Sequence, residues 1–210
     1  MTWNNTDKEL SWNGYTYTFS LCNMAGLWAT QALLLYSPVA EAERFVFDCT
    51  SGDSSLLAWG PAYQIVADHL FVRTHGIHHR GDTAHNHQVY CIPPTHQYGS
   101  WRLKKYVVAP VVRWKGGWFL LCLACSRYEI MREKVVQDQK FVIPKGYVHA
   151  WDVIHVDSKG KIISQWPLDA PPGTHSLDLE HGMTITVSKE EGICVQGKYG
   201  FERYKVADCP

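Results

Sequence analysis

Short segments with β-type residue patterns, many of them closed by turn residues, constrain the fold of this chain more than any other feature of its sequence. Between residues 55 and 125 the apolar and aromatic residues fall into runs of strand length, such as "YQIVADHLFV", "QVYCI" and "GWFLLCL". Similar runs follow in "KFVIP", "AWDVIHV" and "KIISQW". Segments of this length and composition favour β-strands. The sequence therefore predicts a β-rich fold.

Two local turn signals fix where strands reverse. Asn13-Gly14 in "ELSWNGYTYTFSLC" can supply the two positive-φ positions of a type I′ turn, so residues 9–22 predict a hairpin. The segment "DSKG" at 157–160 predicts a second turn, which joins "AWDVIHV" to "KIISQW".

Two segments favour helices instead. Residues 22–36 are rich in helix-forming residues and end at Ser37-Pro38, and residues 126–139 are charged on one face. We therefore expect an α+β, β-rich protein, with an antiparallel sheet or barrel and one or two packed helices. The segment "DAPPGT" predicts a boundary between a main domain, residues 1–168, and a β-rich extension, residues 169–210, packed on the same domain.

Composition narrows the classes of function. The 210 residues carry a formal net charge of +0 at pH 7, which disfavours a general nucleic-acid binder. The first ten residues are too polar for a secretory signal, and no apolar run is long enough to span a bilayer. We expect a soluble, cytoplasmic protein without a cofactor, whose seven cysteines are mostly reduced and buried.

A thiol site is the leading chemical hypothesis. If residues 22–36 are helical, Cys22 lies at a helix N-terminus, where the oriented N–H groups lower the pKa of a thiol. A thiolate nucleophile needs an imidazole base, and the base needs a group that orients it. His149 in "PKGYVHAW" lies at the start of a strand, and either Gln165 or Asp169 on the next strand is suitably placed to orient it.

The same residues resemble a family of enzymes. A cysteine on a buried helix, then "HAW" opening a strand, then "QWPLDAP" is similar to the pattern of papain-like and transglutaminase-like thiol enzymes. The resemblance implies Cys22 as nucleophile, His149 as base and Asp169 as orienting acid. It implies a hydrolase or acyltransferase that acts on an amide or ester carbonyl of a protein or a small molecule.

A metal site is the second hypothesis. His85 and His87 in "GDTAHNHQVYC" are two residues apart, so on a strand both imidazoles lie on one face and can bind one ion. "IPKGYVHAW" resembles the second histidine motif of the cupins, which implies His149 as the third ligand. Such a three-histidine site suits iron, manganese or another divalent ion.

Two further interpretations stay open. The segments "DHLFVRTHGIHHRG" and "GWFLLCLACSRY" resemble the histidine and cysteine boxes of lecithin retinol acyltransferase-like and NlpC-type enzymes, which implies His78 as base and Cys125 as nucleophile. A β-rich interaction protein without enzymatic activity is equally compatible with the strand pattern.

Overall fold

The structure is a computed structural model, and it describes residues 3–4, 9–24, 28–36, 43–45, 50–51, 62–74, 88–95, 99–124, 149–171, 174, 182–197 and 201–210. Every regular element within these ranges is a β-strand, and each described strand pairing is antiparallel. The chain divides into two compact units. The N-terminal unit is Trp3–Tyr106, and the C-terminal unit contains Val107–Pro210.

The N-terminal unit begins with a sheet whose strands follow the chain in the order β1-β2-β3-β4, with β5 paired to β3. Its strands are β1 (Glu9–Trp12), β2 (Tyr15–Met24), β3 (Trp28–Tyr36), β4 (Glu43–Phe45) and β5 (Thr50–Ser51). Asn13 and Gly14 have φ angles of 50° and 80°, and they connect β1 to β2. The hairpin predicted from the Asn-Gly pair is confirmed.

The helix predicted over residues 22–36 is wrong. These residues form the end of β2 and all of β3, with Cys22 opposite Thr30 in the antiparallel register. The nearly continuous apolar run is compatible with either structure, because periodicity alone does not separate a buried helix from a strand that pairs on both sides. β3 is such a strand, since it lies between β2 and the strands β4 and β5.

The expected α+β class is therefore wrong as well. The described part of the chain is all-β, with several antiparallel sheets that do not close into a barrel. The second predicted helix, at residues 126–139, lies outside the described residues. Nothing within the described ranges forms a helix long and apolar enough to cross a membrane.

A second sheet completes the N-terminal unit. It consists of β6 (Ala62–Val66), β7 (His69–Thr74), β8 (Gln88–Ile92) and β9 (Trp101–Leu103), in chain order. One apolar cluster joins the two sheets of this unit. Its buried members are Tyr17, Tyr63, Leu70 and Val72, and it includes partly buried residues of β1, β2, β6 and β8.

The C-terminal unit contains a four-stranded and a three-stranded sheet. The first has the order β10-β11-β12-β13, and the second has the order β14-β15-β16. The strands of the first sheet are β10 (Val112–Trp114), β11 (Gly117–Leu123), β12 (Trp151–Asp157) and β13 (Ile162–Leu168). Those of the second are β14 (Thr184–Ser188), β15 (Gly192–Gln196) and β16 (Tyr204–Ala207).

The three-stranded sheet packs on the four-stranded one. β14 contacts β10 and β11, and β16 contacts β13. The rings of Phe201 and Trp151 are arranged edge to face, with 5.0 Å between their centroids. Residues 169–210, which the sequence predicts as a C-terminal extension, therefore share a unit with β10–β13.

The two central strands carry the core of this unit. All seven residues of β11 are buried, and β12 is buried from Trp151 to Val156. Burial on both faces explains why β11 contains only apolar residues and glycine, whereas β12 includes the buried polar residues Asp152 and His155. The turn predicted at 157–160 is confirmed: Asp157 Oδ1 accepts the backbone N–H groups of Lys159 and Lys161, at 2.8 and 2.9 Å.

Candidate functional site

The start of β12 is held in place by backbone hydrogen bonds to both neighbouring strands. Ala150 donates its N–H to Leu168 O at 2.9 Å, and it accepts the N–H of Ala124 at 2.8 Å. Immediately before it, His149 has a φ of 45°, in the left-handed region that few residues other than glycine adopt. The surrounding bonds fix this conformation, and it directs the histidine away from the strand's regular path.

Asp169 holds the main chain of His149. Its Oδ1 accepts the His149 backbone N–H at 2.5 Å, across the end of the β12–β13 pair. The sequence resemblance gave Asp169 the task of orienting the imidazole, but this bond is to the backbone. Asp169 therefore holds the backbone of His149 and not its ring.

The imidazole itself is bonded to Asp152. His149 Nε2 lies 2.9 Å from Asp152 Oδ1, and the two side chains are 42% and 5% exposed. A carboxylate oxygen only accepts hydrogen bonds, so this contact assigns the hydrogen of the neutral ring to Nε2 and the lone pair to Nδ1. A half-exposed imidazole held by a buried carboxylate is the arrangement that general-base catalysis uses.

Sequence reasoning missed Asp152 as a site residue. In a regular strand, residues three positions apart point to opposite faces, so the segment "HAWD" does not suggest contact between its first and last residues. The positive φ of His149 breaks that alternation. The sequence therefore carried no signal for this contact.

Cys22 belongs to the other unit. It lies within β2, in the N-terminal unit, whereas His149 and Asp169 lie in the C-terminal unit. The helix N-terminus that was expected to activate its thiol is not formed, since residues 15–24 are a strand.

Four other candidate residues are outside the described residues: His78, His85, His87 and Cys125. Gln165, the alternative orienting group, lies within β13 opposite Ile154. In the part of the chain that is described, no group of three or more histidine, cysteine, aspartate or glutamate side chains is arranged to hold a metal ion. Cys122, which lies opposite Asp152 on β11, is fully buried in the core.

A second histidine, His155, lies near the other end of β12. Its ring stacks on Phe119 with 4.4 Å between ring centroids and 15° between the planes, and the residue is 8% exposed. Among the described residues, no group makes a hydrogen bond to its Nδ1. Burial, aided by the charge of Lys115 and opposed by that of Asp157, lowers the pKa of His155 below its ordinary value.

The comparisons with known proteins assign the chain to no family. No family model, curated protein or solved structure matches the chain. The functional interpretation depends on the geometry at His149 and on the sequence patterns.

Proposed function

We propose that the protein is a thiol hydrolase or acyltransferase that acts on an amide or ester carbonyl, with His149 as its general base. The observation that carries the proposal is the hydrogen bond from the half-exposed His149 ring to the buried Asp152 carboxylate. A general base needs both a fixed ring and access to substrate, and here the bond to Asp152 fixes the ring while its exposure gives access.

Asp152 takes the orienting role in this proposal, and Asp169 becomes a positioning residue. Asp152 holds the ring through Nε2, so that Nδ1 is the atom that exchanges protons. Asp169 maintains the left-handed backbone at His149 through its bond to the N–H group. Both roles follow from hydrogen bonds to different parts of the same residue.

Cys22 is the nucleophile in the proposal, on the ground of the sequence resemblance. In a mechanism of this type an imidazole accepts the thiol proton, and the thiolate sulfur attacks the carbonyl carbon to form a tetrahedral intermediate. When the intermediate collapses, the imidazolium returns the proton to the leaving alcohol or amine, which leaves a thioester on the cysteine. Water or an amine then attacks the thioester, again with the imidazole as base, and the thiol is restored.

The test is turnover of p-nitrophenyl acetate and of an amino-acid p-nitroanilide by the full chain. We expect Cys22→Ser and His149→Gln each to lower kcat/KM by about 10²-fold or more, the range typical of a lost acid–base group. Iodoacetamide should inactivate the native protein. Cys209→Ser is the matched control, because this thiol is partly exposed and outside the proposed site.

Full activity in Cys22→Ser, with unchanged circular dichroism, would remove the thiol mechanism. Loss of activity on treatment with EDTA, with restoration by iron or manganese, would instead support a metal site that uses His85, His87 and His149. If neither substrate is turned over at an enzyme concentration of about 10 µM, acyl transfer from activated esters and anilides is contradicted.

A further inference from the structure

Among the described strands, β13 is the edge of its sheet. β13 is the last strand of the order β10-β11-β12-β13, and no described strand pairs with its other side. An edge strand presents a row of backbone N–H and C=O groups that can pair with a strand of another chain.

This edge is also unusually apolar for an exposed strand. The register with β12 shifts at one point, where His155 pairs with Ser164 and Val156 pairs with Ile162, so that Ile163 is an extra, bulged residue. Ile162 and Ile163 are 40% and 56% exposed, and they are two of the three large hydrophobic residues exposed in the described part of the chain. Burial of both against a partner would remove this apolar surface from water.

The sequence of β13 and its flanks is complementary to itself. In an antiparallel pairing centred on Gln165, residues at equal distances on either side of the centre lie opposite each other. Lys161 then faces Asp169, Ile162 faces Leu168, and Ile163 faces Pro167 of the other strand. Opposite charges meet at both ends, and apolar residues meet between them.

We propose that this edge pairs with β13 of a second copy of the chain, across a two-fold axis at Gln165. Because the same surface is used on both subunits, the contact is isologous and closes as a dimer. The proposal goes beyond the acyl-transfer function and does not depend on it.

Two features limit how extensive the pairing is. Pro167 has no N–H group to donate, and proline is tolerated at such positions because its nitrogen lies on the outer side of an edge strand. The bulge at Ile163 bends the other end. Strand pairing is therefore concentrated around Ser164–Trp166, with the two Lys161–Asp169 pairs closing the ends.

The dimer would also bring a charge to the candidate site. The Asp169 carboxylate that accepts the His149 N–H is the group that Lys161 of the partner subunit would approach. The contact thus links the subunit interface to the residue that positions His149.

A cross-linking experiment on the full chain tests the register. Residues that pair directly across antiparallel strands have Cα atoms about 4.5 to 5.5 Å apart, within the range that a disulfide spans. Gln165→Cys should therefore form a disulfide-linked dimer when oxidised with diamide. Ile163→Cys should not, because the two copies of residue 163 would be about 14 Å apart along the strands.

Sedimentation equilibrium of the reduced proteins gives the second readout. Lys161→Glu places like charges opposite Asp169, and we expect it to raise the dimer dissociation constant by about tenfold or more. Lys159→Glu is the matched control, since this residue lies in the preceding turn and outside the paired segment. Mixing Lys161→Glu with Asp169→Lys should restore a heterodimer.

Disulfide mapping by mass spectrometry separates the engineered link from links between native cysteines. A native chain that remains monomeric at about 100 µM, which corresponds to a dissociation constant weaker than most specific complexes, would overturn the proposal. Equal cross-linking of Gln165→Cys and Ile163→Cys would overturn the register. A native chain that is monomeric but shows turnover would contradict only the dimer. A native chain that is dimeric but shows no turnover would contradict only the acyl-transfer proposal.

Discussion

The two ends of β12 place histidines in opposite environments. At the start, His149 is half-exposed, and its ring nitrogen is bonded to a buried carboxylate. Near the end, His155 is buried against Phe119, and its Nδ1 makes no hydrogen bond to a described residue. The same type of side chain is thus hydrogen-bonded and accessible at one end, while at the other its pKa is lowered by burial.

The backbone explains much of this difference. His149 precedes the strand with a φ of 45°, so its ring reaches Asp152, three residues ahead. His155 is inside the strand and follows its regular alternation, opposite Phe119 on β11 and Ser164 on β13. The irregular residue gains a polar partner and solvent access, and the regular one is enclosed by the sheet.

Removal of the Asp152 carboxylate should reduce activity more than any other change at β12. Asp152→Asn leaves the size of the side chain unchanged, but it no longer favours one tautomer of the His149 ring. We expect kcat/KM on p-nitrophenyl acetate to fall by about 10² to 10⁴-fold. The pH dependence of kcat/KM should shift as well, which a purely structural role would not cause.

Asp169→Asn is the matched control for that change. The amide oxygen of asparagine can still accept the His149 N–H, so we expect a much smaller loss of activity. Equal losses in the two variants, or no loss in Asp152→Asn, would contradict the assignment of Asp152 as the orienting group.

A smaller effect concerns stability at the buried end. The pKa of His155 in the folded protein is below its ordinary value of 6.5, so the unfolded state binds more protons than the folded state as the pH falls. The contribution of His155 to the free energy of unfolding is therefore retained above about pH 6.5 and decreases below it. His155→Phe should lose this pH dependence while it preserves the ring stack on Phe119.

The free energies of unfolding of the native chain and of His155→Phe are measured with urea between pH 7.5 and 5. As the pH falls, the variant should become increasingly more stable than the native chain. His69→Gln provides the control, because this histidine lies on an exposed hairpin and bonds to Ala67 O. A constant difference across the pH range would show that His155 is not the group that titrates.

Local signals in the sequence predicted local structure correctly. The Asn13-Gly14 pair and the "DSKG" segment specify their turns through backbone preferences of a few residues, and both turns form. Residues 22–36 failed for a different reason. Whether a continuous apolar run becomes a helix or a central strand depends on which strands pair with it, and β3 pairs with β2 on one side and with β4 and β5 on the other.

The candidate site was only partly predictable, because one of its contacts depends on an irregular backbone conformation. His149 is predicted as a candidate from its place at the start of a strand and from the resemblance to thiol enzymes, and Asp169 accepts its backbone N–H. The contact with Asp152 depends on a left-handed backbone at a residue other than glycine. Such a conformation is imposed by the bonds around it, and the sequence of one segment does not encode it.

Chemical modification tests directly whether His149 is the general base. Diethyl pyrocarbonate is used to modify the histidines while esterase activity is followed, and the modification of each histidine is quantified by mass spectrometry. We predict that activity falls in proportion to modification of His149, while His155 remains unmodified until the protein unfolds. Activity that persists after complete modification of His149, or that is lost in proportion to modification of another histidine, would contradict the account.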